Sequence, residues 1–398
     1  MVSKKFNSLE NRDLKSRCHQ PKTNGQKQET RNKGPNTRNQ TPETNNRPLR
    51  RSPQPETRNR PFIIPIFLPH AGCPHQCIFC NQISITGIKK RTISTEKLHS
   101  HIEEFLKYKA KQRKPVQIAF FGGNFLGMNA DDIALLLAEA AGFVEQGVVD
   151  SIRFSTRPDT IDRKSLDLIK NFPVSTVELG VQSMDNEVLA LAKRGHTRAD
   201  TQKAVYLLKD RNYEIGLQIM VGLPGDNQAK TFNTGHRITN LAPDFVRIYP
   251  TVVLAGSPLA RWYQTGKYVP LSLQECVHQV KHLYVLFKQN TIRVIRMGLQ
   301  ASQDLAEGST VLAGPYHPAF GHLVHCALFL DRAVSALKSK AVLGNHVIIR
   351  VHPNNISKMR GLKNGNISKL KQQFQFKSVN IIPDSAFGEN ELSVIAPA

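Results

Sequence analysis

Only six of the 398 residues are cysteine, one is tryptophan, and 31 acidic side chains face 54 Lys and Arg. The cysteines are too uneven for a disulfide framework. Cys73, Cys77 and Cys80 crowd into eight residues, while Cys18, Cys276 and Cys326 are scattered. That distribution fits a reducing compartment with one thiolate cluster. No apolar run reaches the roughly 18 residues a membrane helix needs. The N-terminus also lacks the apolar core of a signal peptide. The expectation is a cytoplasmic protein with no membrane partner. The acid deficit leaves a formal net charge of +23, which favours polyanionic partners such as nucleic acid, though non-specifically.

The charge is unevenly spread. Residues 1–60 hold fifteen Lys and Arg against five Asp and Glu, with almost no large apolar side chains. Near-repeats occur at Glu29-Thr-Arg-Asn32, Asn36-Thr-Arg-Asn39 and Glu56-Thr-Arg-Asn59. Such a stretch cannot bury enough apolar surface to offset its ordering entropy, so a disordered basic tail is expected. It would be a passive tail, an over-extended gene start, or a basic arm on nucleic acid.

From Pro61 the character changes. Short β-branched runs at 62–67, 116–121, 151–156, 176–181, 214–221 and 245–249 alternate with helical periodicity. Ile133, Leu136, Leu137, Ala140, Phe143 and Val144 make one apolar face, with Asp131 and Asp132 at its N-terminal end. Strands alternating with helices imply a parallel sheet, open or closed. Each strand's C-terminal end carries glycine or polar residues. Those include the cysteine loop, Gly122-Gly123-Asn124, Ser155-Thr156-Arg157, Gln182-Ser183, Gly222-Leu-Pro-Gly225 and Tyr249-Pro-Thr251. Function gathered at that face favours a barrel or partial barrel.

Cys73-Pro-His-Gln-Cys77-Ile-Phe-Cys80 has the spacing C-x3-C-x2-C. Thiolates are the soft ligands iron–sulfur clusters need. Three on a short loop can hold three irons of a cubane and leave the fourth open to a cofactor. The alternative is a zinc knuckle completed by His75, against which stands the absence of a second CxxC. Phe79, an aromatic just before the third cysteine, supports the cluster.

These residues resemble the radical S-adenosylmethionine (SAM) superfamily. The resemblance implies an α/β fold, the radical-SAM partial (β/α)6 TIM-like barrel, carrying a [4Fe-4S] cluster and S-adenosyl-L-methionine. It also implies an external electron donor and a 5′-deoxyadenosyl radical that takes hydrogen from a substrate. By the same resemblance, Gly122 and Gly123, with Asn124 behind them, meet the SAM amino group. Ser155, Gln182, Arg194 and Gln218 meet its ribose or carboxylate.

Over residues 62–300 the chain is similar to the core of the Elongator catalytic subunit, a tRNA wobble-uridine-modifying enzyme. Thr156-Arg-Pro-Asp159, Val177-Glu-Leu-Gly-Val-Gln-Ser183, Arg194-Gly-His-Thr197, Leu223-Pro224 and Arg247-Ile-Tyr-Pro-Thr251 carry that similarity. The Elongator subunit has a longer gap between its first two cysteines and an acetyltransferase domain after its core. Here no acetyl-CoA phosphate loop is recognisable after residue 300. The radical SAM core is therefore set at 61–300, with tRNA or another nucleic acid the favoured substrate. Two alternatives are a coproporphyrinogen-oxidase-like tetrapyrrole enzyme and a non-catalytic iron–sulfur or haem chaperone. Against the former, Gln82 stands where that family has a further cysteine.

Residues 301–398 are expected to form a small C-terminal α+β extension or lid. Strands are placed near 346–351 and 378–382, with a helix near 327–338. A Gly/Pro/His-rich loop over 311–326 is read as a cover for the barrel's lateral opening. Its His317, His322, His325 and Cys326 raise the alternative of a second metal site.

Overall fold

The computed structural model describes residues 61–74, 76–82, 93–108, 115–299, 310–339 and 344–395. The basic tail with Cys18, and His75, lie outside the described residues.

Seven strands form one fully parallel sheet in sequence order: β1 (Phe62–Phe67), β2 (Val116–Phe121), β3 (Ser151–Thr156), β4 (Val174–Gln182), β5 (Glu214–Val221), β6 (Phe245–Pro250) and an edge strand, Arg293–Met297. Helices return the chain between strands, and the sheet curls into a partly closed barrel with β1 and the edge strand unpaired to one another. The six expected strands are present. The seventh escaped the sequence reading because Arg293 and Arg296 break its apolar run, and its residues are only partly buried, as an edge allows.

The core lies between the sheet and its helices. Helix α1 (Ala130–Glu145) buries Ile133, Leu136, Leu137, Ala140 and Phe143, and Asn129 caps it by accepting from the Asp131 N–H. Three phenylalanines, Phe120, Phe125 and Phe154, stack in series with ring centroids 4.9 and 4.8 Å apart. Thus the C-terminal ends of β2 and β3 are held by aromatic packing just below the loops they emit.

The C-terminal residues build a second small core in the same compact unit. Helix α2 (Phe320–Ser339) serves both. Phe320 and Val324 pack into the barrel core, whereas Phe329, Ala333 and Leu337 pack with Val347, Ile349, Met359 and Leu370. The sheet there places β7 (His346–Val351) between the parallel strand β8 (Ser378–Pro383) and the antiparallel strand β9 (Leu392–Ile395). The expected long loop over 311–326 is corrected. Val311–Ala313 is a short strand pairing with Val253–Leu254, and the helix begins at Phe320. His322, His325 and Cys326 are therefore helical. Apolar residues at 320, 324, 328 and 329 supply a helical period that the glycines and prolines before them obscured.

Phe154→Ala is expected to cost about 3–5 kcal/mol, as for other fully buried phenylalanines. Urea denaturation of the cluster-free protein measures it, and a loss under about 1 kcal/mol would show that the stack is dispensable.

Candidate active site

The loop after β1 is zipped to the end of β2 through backbone groups. Leu68 N–H donates to Phe121 O (2.8 Å), His70 N–H to Gly122 O (3.0 Å) and Asn124 N–H to Ala71 O (2.8 Å). This close approach explains the double glycine in structural terms. A Cβ on Gly123 would lie 2.5 Å from Ala71 O and 2.7 Å from Leu68 O, both backbone atoms. Gly122 has φ +92°, where L side chains are strained.

Asn124, 1% exposed, braces the site. Its Nδ2 donates to Gly72 O (2.9 Å). Its Oδ1 accepts from Thr156 Oγ1 (2.7 Å), Arg157 N–H (2.9 Å) and Thr160 Oγ1 (3.1 Å). One amide thus joins the residue before Cys73 to the end of β3. Its oxygen is fully engaged by the protein.

Cys73, Cys77 and Cys80 sit on this loop, Cys77 buried and the others half-buried. The loop is pinned at Ile78, whose N–H donates to Ala192 O (3.1 Å) and whose carbonyl accepts from Leu259 N–H (2.8 Å). Asn81 Nδ2 donates to Ala255 O (2.7 Å). Phe79 packs at the edge of an apolar cluster with Met220 and Trp262. Burial, with the neighbouring Cys77 and then Cys73 adding, pushes the Cys80 thiol up to about 12, although Gln82 Nε2 donates to its sulfur (3.6 Å). The upward push of Cys77 and Cys73 shows that negative charge on all three sulfurs together is disfavoured without a cation to join them. Among the described residues no three His, Cys, Asp or Glu side chains are grouped to hold a metal ion. A cubane spreads its three thiolates over separate irons.

Two guanidiniums flank the thiols. Arg194 donates from one terminal nitrogen to Cys77 Sγ (2.9 Å) and from the other to Gly180 O (2.5 Å). Its Nε is buried without a partner. Arg157 is gripped by Asp159 at both oxygens (2.9 and 2.7 Å). Burial alone would lower the Arg157 pKa, but Asp159 and the nearby Cys77 and Cys73 outweigh it and hold it above the usual value. Gln182, at a bulge where β4 slips against β5, has φ +68° and a buried Oε1 without a partner. The sequence motif contained Arg157 and Asp159 without assigning them a role; burial of Arg157 near the thiols, with Asp159 gripping it, supplies one.

Below lies a polar bore. Glu178 is fully buried on β4 and takes Arg153 (2.6 Å) and Arg247 (2.7 Å) as ion partners. Gln218 Nε2 donates to Glu178 Oε2 (3.1 Å) and to Ser155 Oγ (3.3 Å). The structure thus groups Ser155 with Gln218, and Gln182 with Gly180 and Arg194; an added Cβ on Gly180 would lie 3.1 Å from Gln182 Nε2 and 3.2 Å from an Arg194 nitrogen. Alternation along the strands could have found Arg153, Glu178 and Arg247, since all sit on the face shared with Ser155 and Gln218. His317 lies apart from these residues, its Nδ1 accepting from Ala319 N–H (3.0 Å), and His325 packs edge-on to Tyr284.

A family model described as the radical SAM superfamily matches residues 67–234, and one described as the Radical_SAM C-terminal domain matches 243–329. Over 130 residues the chain is 35% identical to a tRNA uridine(34) acetyltransferase of Methanocaldococcus infernus, covering 32% of this chain and 24% of that protein. Over 223 residues it is 25% identical to Elongator complex protein 3 of Saccharomyces cerevisiae, covering 51% and 40%. The chain spans 24% to 50% of the length of the first curated relatives it matches. The solved archaeal Elp3 of M. infernus with residues 1–46 deleted superposes at a TM-score of 0.53 and 20% identity. It covers 73% of this chain and 65% of that one, a likeness of fold. The chain belongs to the radical SAM superfamily, and its catalytic domain is related to the core of the Elongator subunit. Membership implies SAM and an iron–sulfur cluster of the kind these enzymes use. Among the described residues no helix is long and apolar enough to cross a membrane.

His196, 4% exposed, is held neutral by burial and then by Arg194, with its pKa lowered to about 4. The unfolded chain takes up this proton near pH 6.5, and the folded chain only near 4. Stability is therefore full above about pH 6.5 and falls as pH drops towards 4, by on the order of 3 kcal/mol. Urea midpoints of the cluster-free protein at roughly pH 7.5 and 5 should show the fall. It should be clearly smaller in His196→Gln; an equal fall in that variant would assign it elsewhere.

Proposed function

We propose that Cys73, Cys77 and Cys80 ligate a [4Fe-4S] cluster, and that the residues above them hold S-adenosyl-L-methionine for radical chemistry on a nucleic acid, tRNA being favoured. The observation that carries this is the loop itself: three thiols between two buried guanidiniums, with partnerless Gln182 Oε1 and Arg194 Nε beside them. When bound, cluster and cofactor supply one-electron cleavage of the sulfonium carbon–sulfur bond, the electron coming from an external donor.

The chain's own residues do the rest. Arg194 and Arg157 offset the negative charge of ligated thiolates. Arg194 also offers a planar fork for a carboxylate. Gln182, Ser155 and Gln218 offer amide and hydroxyl groups to a ribose or carboxylate, Gln218 being oriented by Glu178. Phe79, Trp262 and Tyr268 wall the rim with apolar surface that keeps water from a reactive centre. Asn124 acts as a positioning residue, through the loop rather than on a ligand. Two things support a nucleic acid substrate: the excess of Lys and Arg, and the relationship to proteins named for tRNA uridine(34) acetylation.

Anaerobic reconstitution followed by assay for 5′-deoxyadenosine tests this. Wild type should take up iron and sulfide and cleave SAM under a strong reductant. Cys77→Ala should lose both, and Cys276→Ala, on a buried helix face, neither. Asn124→Ala should fold yet retain less iron, because the loop loses its tie to β3. Full cluster absorbance in Cys77→Ala would overturn the ligand assignment.

A further inference from the structure

The C-terminal module has a charge pattern that the barrel chemistry leaves unused. Between Ala333 and Pro383 the chain carries nine Lys and Arg and no Asp or Glu. The barrel mixes both signs, so this stretch stands apart. Arg360, Lys363, Lys369, Lys371 and Lys377 are exposed, and among the described residues none forms an ion pair. Charges of one sign held together without counter-ions cost stability through repulsion. An anionic partner relieves that cost.

The architecture says which polyanion fits. Strand β7 leads into helix α3 (Ile356–Arg360), a tight turn, helix α4 (Gly365–Phe374) and then the parallel strand β8. The turn is Gly361-Leu-Lys-Asn364. Gly361 has φ +72°, and a Cβ there would lie 2.9 Å from Asn366 Cγ. Lys363 and Asn364 are also left-handed, at φ 50° and 60°, a conformation asparagine tolerates where glycine would be usual. Buried Asn366 fixes the turn beneath. Its Nδ2 donates to Cys326 O (2.8 Å) and Lys358 O (3.2 Å), tying α3 and α4 to α2. Leu362, 50% exposed, and Lys363 and Asn364 are thereby left projecting into solvent. A βααβ unit with a Gly-x-x-Gly turn between its helices is how KH modules clamp about four nucleotides of single-stranded RNA by the backbone. Here asparagine takes the second glycine's place, and lysines flank the turn on both sides.

We infer that the module formed by β7, α3, α4 and β8 is a single-stranded RNA-binding surface, with the Gly361–Asn364 turn and Lys363 holding the phosphate backbone and Lys369 and Lys371, on the two flanks of the buried face of α4, adding positive potential around it. The inference rests on the reading that the enzyme acts on nucleic acid, and it assigns the grip to a place outside the barrel.

The test uses the full chain and a fluorescent single-stranded oligoribonucleotide of mixed sequence, roughly a dozen nucleotides long, read by anisotropy across a salt series. Lys363→Asp/Asn364→Asp and, separately, Lys369→Glu/Lys371→Glu should each weaken binding about tenfold or more and flatten the salt dependence. Lys164→Glu/Lys170→Glu, on exposed barrel positions, matches the charge change of the second variant and exceeds that of the first, and should do neither. Equal weakening by module and barrel variants would overturn the surface in favour of general charge attraction. Vesicles of phosphatidylcholine and phosphatidylserine that bind as tightly, through the same lysines, would overturn RNA in favour of a lipid surface. Deoxyadenosine formation without RNA separates the two proposals. Module variants that lose RNA but keep SAM cleavage support the inference. RNA binding that depends on these lysines in a chain that never cleaves SAM also supports it, and sinks only the catalytic reading.

Discussion

Four hydrogen bonds on one buried amide hold the working end of this molecule together. Asn124 stands at the end of β2, reaches back to Gly72 and forward to Thr156, Arg157 and Thr160. The cysteine loop follows β1 and Arg157 follows β3, so neither meets the other through the sheet ladder. The amide sets their relative position. The cysteine loop has bonds of its own, Cys73 N–H to His70 O and Cys80 N–H to Cys77 O (both 3.1 Å), but its tie to the end of β3 runs through this amide. The glycines around it follow from the same crowding, because the backbones lie too close for a Cβ.

The bore beneath poses a different constraint. Burying Glu178 completely is costly unless its charge is matched. Arg153 and Arg247 over-match it, leaving a net positive charge inside the sheet. Gln218 and Ser155 are drawn into the same network. The arrangement gains little stability over an apolar interior, but it fixes the orientation of polar groups facing the open end.

Much of this was legible in the sequence, for identifiable reasons. The β1, β2, β3 and β5 limits followed from short runs rich in β-branched and aromatic residues that end in glycine or polar residues. The edge strand at Arg293 was illegible, since half-exposed edges need no apolar run. The helix at Phe320 was masked by the glycines and prolines ahead of it. At the site, Cys73, Cys77, Cys80 and Arg194 announced themselves by spacing and motif. Asn124 and Gly123 were noticed for a ligand's sake; the structure also gives each a packing role, Gly123 where backbone lies against backbone and Asn124 through its side-chain amide. Arg153 drew no attention and Glu178 entered only inside a motif, without a role, because a charged residue inside a strand reads as surface until its neighbours are known.

Helix α2 has one further consequence. Its 20 residues span about 30 Å, with the first turns sunk in one core and the last turns in the other. No flexible seam separates the two bodies along this element, so they cannot swing freely about it. The helix is a ruler. A polymer gripped at the Gly361–Asn364 turn, which Asn366 ties to Cys326 O near the barrel end of the helix, would be held at a fixed distance from the barrel, and choice among positions along that polymer would come from measured distance rather than from reading its bases.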